Sequence, residues 1–186
     1  DSAFISGSGF ASTVNALAIA GNGAVIAGGA FTTYNGLSTP RLARILADGS
    51  LDASFTLGTG PASTVNAVVT LPDGKLLVGG SFSSFNGNSL ARYVVRLDPS
   101  GAVDSTLLSP PGVTSTILGI GVSGSGDALA VGAAVVGIRF NAGAIAGVSS
   151  SSWRSGASTG AALVAQPGGK VVVAGNFTWS RGQPAP

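Results

Sequence analysis

A pattern of about 50 residues recurs along this chain, and no other feature limits its fold as much. DSAF at Asp1 to Phe4 matches DASF at Asp52 to Phe55, an offset of 51, and the match runs on for about 40 residues without a gap. STVNALAIAGNGAVIAGGAFTTYNG (Ser12 to Gly36) lies over STVNAVVTLPDGKLLVGGSFSSFNG (Ser63 to Gly87), and one inserted residue then brings Arg44 over Arg96 and Asp52 over Asp104. A third, altered copy starts at Asp104 and a fourth near Ser149, which divides residues 1–186 into copies of about 1–51, 52–103, 104–145 and 146–186 within one repeat domain. A period of this length restricts the fold to stacked supersecondary units.

Each copy reads as strand, tight turn, strand, longer loop, strand, turn and a short fourth strand. The first strands are VNALAIA, VNAVVTL, ILGIGVS and GAALVA; the turns GNG, PDG, SGSGD and QPGG supply the Gly, Pro, Asn and Asp of tight turns. The second strands are AVIAGGAF, KLLVGGSF, ALAVGAAV and KVVVAGNF, and the third strands LARILA, YVVRLD and VGIRFN. Short Val-, Ile- and Leu-rich runs bounded by turn residues predict strands apolar on both faces, as in stacked sheets. The expected fold is therefore all-β: propeller-type blades of four antiparallel strands, three to four copies, left open or completed by a neighbouring subunit. Copy three takes seven steps from Gly132 to Arg139 where copy one takes sixteen from Gly28 to Arg44, so its Asn-Gly loop is deleted.

The succession D-x-S-F, V-N-A, P-D-G-K-L-L-V-G-G-x-F, N-G and V-R-L closed by D-P-S-G resembles the delta-60 repeat family of bacterial β-propeller proteins. Copy two carries every element; copy one has GNGA for PDGK, copy three lacks the G-G-x-F and N-G signals, and copy four stops early. The resemblance implies secreted or cell-surface bacterial proteins, often long and multi-domain, and provides no catalytic motif to transfer.

Composition narrows the function classes. Charged residues make up only 9% of the chain, against the roughly 25% usual for soluble domains, which points to surface covered by a partner. Nine Lys and Arg against seven Asp give a net charge of +2 without a basic cluster, so no nucleic-acid footprint follows. The chain contains no Cys, His, Met or Glu. That removes thiolate chemistry and the commonest general acid-base group, and no cofactor or metal motif is present. No run of eighteen apolar residues predicts a transmembrane helix. The opening at Asp1 reads as a processed or trimmed start, and the uneven ends leave two readings: a piece of a longer protein, or subunits that complete one another.

The repeated side chains have bland readings beside sharper ones. All seven carboxylates sit at repeat landmarks, with Asp1, Asp52 and Asp104 heading the fourth strand, Asp48 and Asp98 opening the turn after the third strand, and Asp73 and Asp127 in the first hairpin turn. A blade-building role is expected of them ahead of calcium binding at turns such as DGSLD or catalysis. Arg44, Arg96 and Arg139 recur on the third strand, with Asp52 and Asp104 as expected partners. Phe31, Phe82 and Phe177 are expected between blades. Tyr34, Phe85 and Trp179 flank the loop that holds Asn35 and Asn86, and these five are the candidate ligand-binding residues, a modest shelf for stacking sugars. The leading expectation is a non-enzymatic extracellular structural or adhesive repeat protein of a bacterial surface. Its partners would be copies of itself or another surface protein, and the alternative is a glycan-binding propeller.

Overall fold

The computed structural model describes residues 4, 7–108, 113–123, 128–132, 135–141, 144–149, 159–165, 171–176, 179–180 and 183–184, and side-chain surroundings through residue 132 and at 164, 172 and 174. Blade one comprises β1 (Val14–Ile19) and β2 (Val25–Gly29), a small hairpin of β3 (Thr33–Tyr34) and β4 (Leu37–Ser38), and β5 (Leu42–Ile45). β1, β2 and β5 form an antiparallel sheet in that order. Blade two is a four-stranded sheet of β6 (Val65–Thr70), β7 (Leu76–Gly80), β8 (Val94–Leu97) and β9 (Val103–Leu108). Blade three repeats it with β10 (Ile117–Val122), β11 (Ala128–Gly132), β12 (Val135–Asn141) and β13 (Ala144–Ser149). Blade four contributes β14 (Thr159–Ala165) and β15 (Val171–Asn176), followed by the hairpin of β16 (Trp179–Ser180) and β17 (Gln183–Pro184) at the place of β3 and β4. The expected all-β propeller architecture is present, and the first strands β1, β6, β10 and β14 touch in succession.

The loop deleted from copy three has its structural counterpart: β11 and β12 are separated by residues 133 and 134 alone, and Val131 pairs with Val135. Another regularity was not visible as a pattern of residue types. The first hairpin of every blade shifts register once, between Val14 and Ala16, Val65 and Ala67, Ile117 and Gly119, and Gly160 and Ala162. Side chains alternate along a strand, so one extra residue turns positions three apart to the same face. Val65 and Val68 thus both join the cluster between blades one and two, and Ile117 and Ile120 both join the cluster between blades two and three.

Two of the three core clusters lie between blades, and the third, of Ala27, Phe31, Tyr34, Ala43 and Ile45, lies within blade one, where Phe10, Val14, Val25 and Leu51 pack against it. Ile26 and Leu42 of blade one meet Val65, Val68, Leu76 and Val78 of blade two. On the other side of blade two, Leu77, Val94 and Leu107 meet Ile117, Ile120 and Ala130. Close approach depends on two glycine positions in the second strand. A Cβ on Gly28 would lie 2.5 Å from Val65 Cγ1 and 2.8 Å from Val68 Cγ2, and one on Gly79 would lie 2.7 Å from Ile117 Cγ2 and 2.9 Å from Ile120 Cδ1. The glycine after it faces its own blade: Cβ atoms on Gly29, Gly80 and Gly132 would run into the carbonyl oxygens of Thr13, Thr64 and Thr116.

Two expectations need correction. The strands were expected to be apolar and buried on both faces, but β1 alternates between half-buried and exposed residues, with Leu17 64% and Ile19 62% exposed, because no described blade covers its outer face. A fourth strand was expected at SLDASF, yet blade one makes only the single bridge Ile45 to Leu51. After Asp52 the chain turns, with Phe55 N donating to the Asp52 carbonyl at 3.2 Å, and Phe55 enters the interface between blades instead of extending the sheet.

Gly80→Ala is expected to lower stability by about 1–3 kcal/mol, since backbone has to move to admit the methyl group. Gly21→Ala, with open space around the new carbon, is expected to change stability by less than about 0.5 kcal/mol. Urea unfolding midpoints of the two variants check both values.

Candidate functional site

Three repeated arrangements gather the chemically capable side chains. The first is an ion-pair staple. In blade two Arg96 Nε and Nη2 reach Asp104 Oδ2 at 3.0 and 2.9 Å, and Nη2 donates to Thr106 Oγ1 at 2.8 Å. Lys75 Nζ joins the same carboxylate oxygen at 3.1 Å. In blade one Arg44 Nε donates to Asp52 Oδ2 at 2.7 Å and Nη2 to Ser54 Oγ at 3.0 Å, while Nη1 donates to the Pro99 carbonyl of blade two. The guanidinium carbon sits 4.8 Å from the centre of the Phe55 ring. Arg44 and Arg96 therefore meet Asp52 and Asp104, the partners expected from the sequence. Arg139 lies on β12, and its side chain is outside the described residues, as are Asp1 and Asp127.

The second arrangement is the Asp-x-Ser/Thr turn. One oxygen of Asp48, Asp52, Asp98 and Asp104 accepts from both the backbone N–H and the hydroxyl of the residue two positions on, at 2.6 to 3.0 Å. These bonds act on the charge state. Burial raises the Asp104 pKa, but the Thr106 hydroxyl and backbone N–H, then Lys75 and Arg96, outweigh it and hold the carboxyl far below its ordinary range. Asp48 and Asp98 are lowered first by the Ser50 and Ser100 hydroxyls, and Asp52 first by the Ser54 hydroxyl, with Arg44 adding to it. Carboxylates held ionised and saturated with donors are poor proton donors. Among the described residues no three acidic, His or Cys side chains converge as a metal cage would require.

The third arrangement contains four of the five candidate ligand residues. Tyr34, 4% exposed, donates its hydroxyl to the Gly49 carbonyl at 2.7 Å and lies 4.6 Å from the Phe10 ring centre. Phe85 is fully buried against Phe82, their centres 6.0 Å apart. Asn35 and Asn86 take positive φ of 49° and 51° ahead of Gly36 and Gly87, as a two-residue hairpin turn demands. Their side-chain oxygens accept from Gly9 N and Gly60 N at 2.7 Å, and their own N–H groups donate to the Gly9 and Gly60 carbonyls at 2.9 Å. The structure thus brings Tyr34 and Asn35, and Phe85 and Asn86, together as clamps on the segment entering each blade. Stacking a sugar on Tyr34 or Phe85 needs ring surface that packing has already used. Trp179 lies on β16, paired with Pro184, with its side chain outside the described residues, and Phe177 falls outside them altogether. The clamp's partners, Gly7-x-Gly9 and Gly58-x-Gly60, went unnoticed in the sequence although they share the offset of 51. Two clefts of about 210 and 440 Å³ flank Arg44, the larger lined by Thr39, Leu42, Asp52, Phe55 and Leu57. The guanidinium between them is already spent on the staple.

What remains available is the outer surface of the stack. Leu17 stands where Val68 and Ile120 stand in blades two and three, and those two are only 5% and 7% exposed. Phe4, the counterpart of Phe55, is 48% exposed against 9%. At the other end Val164 is 60% and Val172 51% exposed, and Ala174 is exposed as well. Register equates Val172 with Leu77, which is fully buried against blade three. Each large side chain left open in this way forgoes about 1.5–3 kcal/mol of burial. Two apolar sheet faces, one at each end of the stack, are therefore the candidate interaction surfaces.

The sequence profile described as "Domain of unknown function (DUF5122) beta-propeller" matches residues 20–55, 71–107 and 166–186, about half of the chain, and the chain belongs to that family. No curated protein matches it. Among solved structures it is similar to one titled a putative gluconolactonase, with 20% identity and a TM-score of 0.58 over 84% of this chain and 55% of that one. A gluconolactonase of Xanthomonas campestris gives 13% identity and a TM-score of 0.56 over 84% and 54%. The extracellular domain of a putative hybrid two-component system from B. thetaiotaomicron gives 13% and 0.58 over 88% and 20%. At these identities the likeness is one of fold. The chain spans about half the length of the two lactonase structures and a fifth of the third.

Asp104→Asn is expected to cost about 3 kcal/mol at neutral pH, because Arg96, 1% exposed, loses its charged partner inside the interface. The folded pKa of Asp104 lies below its ordinary value of 3.8, so its stabilisation is complete above that value and is lost as pH falls below it. The wild type is expected to lose stability steeply below about pH 4, and the variant less steeply. Denaturant midpoints across the acid range check the difference in slope.

Proposed function

We propose that this chain is a non-enzymatic structural or adhesive module, exposed outside a bacterial cell, which works by presenting open blade faces to protein partners. The observation that carries this reading is the pair of apolar sheet faces at Leu17 and Ile19 and at Val164 and Val172. Support also comes from the seven Asp residues, of which those with described side chains serve turns or staples, and from the absence of His, Cys and Glu from the sequence. The sparse charge fits a protein whose surface is partly covered when it acts. An extracellular setting is in keeping with the delta-60 resemblance and with the extracellular domain among the similar structures. No helix among the described residues is long and apolar enough to cross a membrane.

Sedimentation velocity over a wide range of concentrations is the test. Growth in mass with concentration is expected, and a chain that stays monomeric throughout overturns association with itself. Hydrolysis of a sugar lactone, the activity named in the titles of similar structures, is expected to stay at the uncatalysed rate; saturable turnover would overturn the non-enzymatic reading.

A further inference from the structure

Blade one keeps open a gap that blade two fills with its own chain. β9 lies along the outer edge of β8, with Leu97 paired to Val103 and Val95 to Leu108. Ala43 occupies the position of Val95, since it pairs with Ala27 as Val95 pairs with Val78. The residue that would face it is Thr56, the counterpart of Leu108 at an offset of 52. Thr56 instead donates its N–H to the Ser100 carbonyl of blade two at 2.7 Å. Among the described residues, the outer edge of β5 is therefore bridged only from Ile45 to Leu51. The space left between β5 and the departing chain is the cleft of about 440 Å³, with Ala43 and Thr56 among its lining residues. All of that lining falls within residues 38–58, away from both ends of the sequence.

The lining specifies what kind of molecule fits. Asp52 N donates to the Arg44 carbonyl at 2.8 Å, so residue 44 turns its main-chain groups to the outer edge, and Leu42, two residues earlier, turns the same way. Such an edge is completed by another extended backbone. Leu42, Leu51, Phe55 and Leu57 make much of the cleft apolar. Arg44 and Asp52 neutralise each other at 2.7 Å, which leaves no free charge there for an ionic ligand. Thr39 adds an unused polar group: its hydroxyl is buried without a hydrogen-bond partner, where copy two, at the offset of 52, has the fully buried Ala91. An unsatisfied buried hydroxyl costs stability, and beside a cleft it offers a bond to an occupant. We propose that this cleft binds a short, uncharged, extended peptide of a partner protein, which adds to β5 as the fourth strand that blade one lacks and sets an apolar side chain opposite Ala43.

The probe is acetyl-Ser-Thr-Leu-Leu-Ser-amide, residues 105–109 at the end of blade two's own fourth strand. It is titrated into the isotope-labelled chain while backbone amide shifts are followed by NMR. Saturable shifts centred on Leu42, Ala43, Arg44 and Thr56 are expected. The same peptide with its backbone nitrogens methylated keeps the side chains but cannot donate to a strand edge. It is expected to bind at least about fivefold more weakly. Equal affinity for the methylated peptide would mean an apolar pocket without strand addition and overturns the proposal. Shifts centred elsewhere, or none that saturate, overturn it as well. None of these results bears on association through the end faces, which sedimentation reads separately.

Discussion

The structure depends on how closely one sheet can lie on the next. Two of the three buried clusters are shared between neighbouring blades, so much of a blade's stability rests on apolar surface it shares with its neighbours. The distance between blades is set where a strand without a side chain receives two branched ones: Gly28 beneath Val65 and Val68, Gly79 beneath Ile117 and Ile120. The bulge in every first hairpin makes this possible by turning residues three apart toward the same neighbour. Backbone irregularity and glycine placement thus form a single device, repeated at each interface.

Polar groups then fix the register that packing alone leaves loose. Asn15 and Asn66 donate across to the Val65 and Ile117 carbonyls of the following blade at 3.0 and 2.9 Å, and Thr70 returns a bond to Ile19 at 2.8 Å. The Arg–Asp staples hold the outer strands, and the Asn-Gly hairpins clamp the entering chain. Arg41 and Tyr93, one residue before β5 and β8 reach their sheets, share a left-handed φ near 60°, a strain that bulky residues accept only when the surroundings dictate it. Its recurrence at the same repeat position marks it as part of the blade. Almost every charge on the described surface therefore has a structural task, which is why the search for chemistry ends at the apolar faces.

The sequence revealed what repeats and concealed what depends on neighbours. The period, the hairpins, the deleted loop and the Arg44 and Arg96 partners were legible because each is a local pattern seen more than once. The fate of Tyr34 and Phe85 was not legible, because aromatic rings beside a turn suit a rim shelf as well as a core; their burial involves neighbours distant in the chain or in the core, Phe10 and the Gly49 carbonyl at Tyr34 and Phe82 at Phe85. The exposure of β1 was hidden for a related reason. VNALAI and VNAVVT are nearly the same string, and only the presence of a preceding blade makes one buried and the other open.

The later copies look worn, but one of their changes compensates for another. Blade three replaces the socket glycine with Val131, fully buried, which pairs with Gly119 as Gly79 pairs with Ala67. Blade four places Gly160 where Val65 and Ile117 stand, since Gly160 pairs with Gly175 as Val65 pairs with Gly80. β11 packs on β14, so at these register positions the larger residue stands on the preceding blade and the glycine on the following one, the reverse of Gly28 and Val65. Cores tolerate such exchanges far better than a change on one side alone. The same constraint reaches the clamp: copy three loses its Asn-Gly loop and, at Pro110, the first glycine of the segment that the loop would hold. The first of these paired changes lies across a contact between blades, and the second lies within one blade, between the entering segment and its own hairpin.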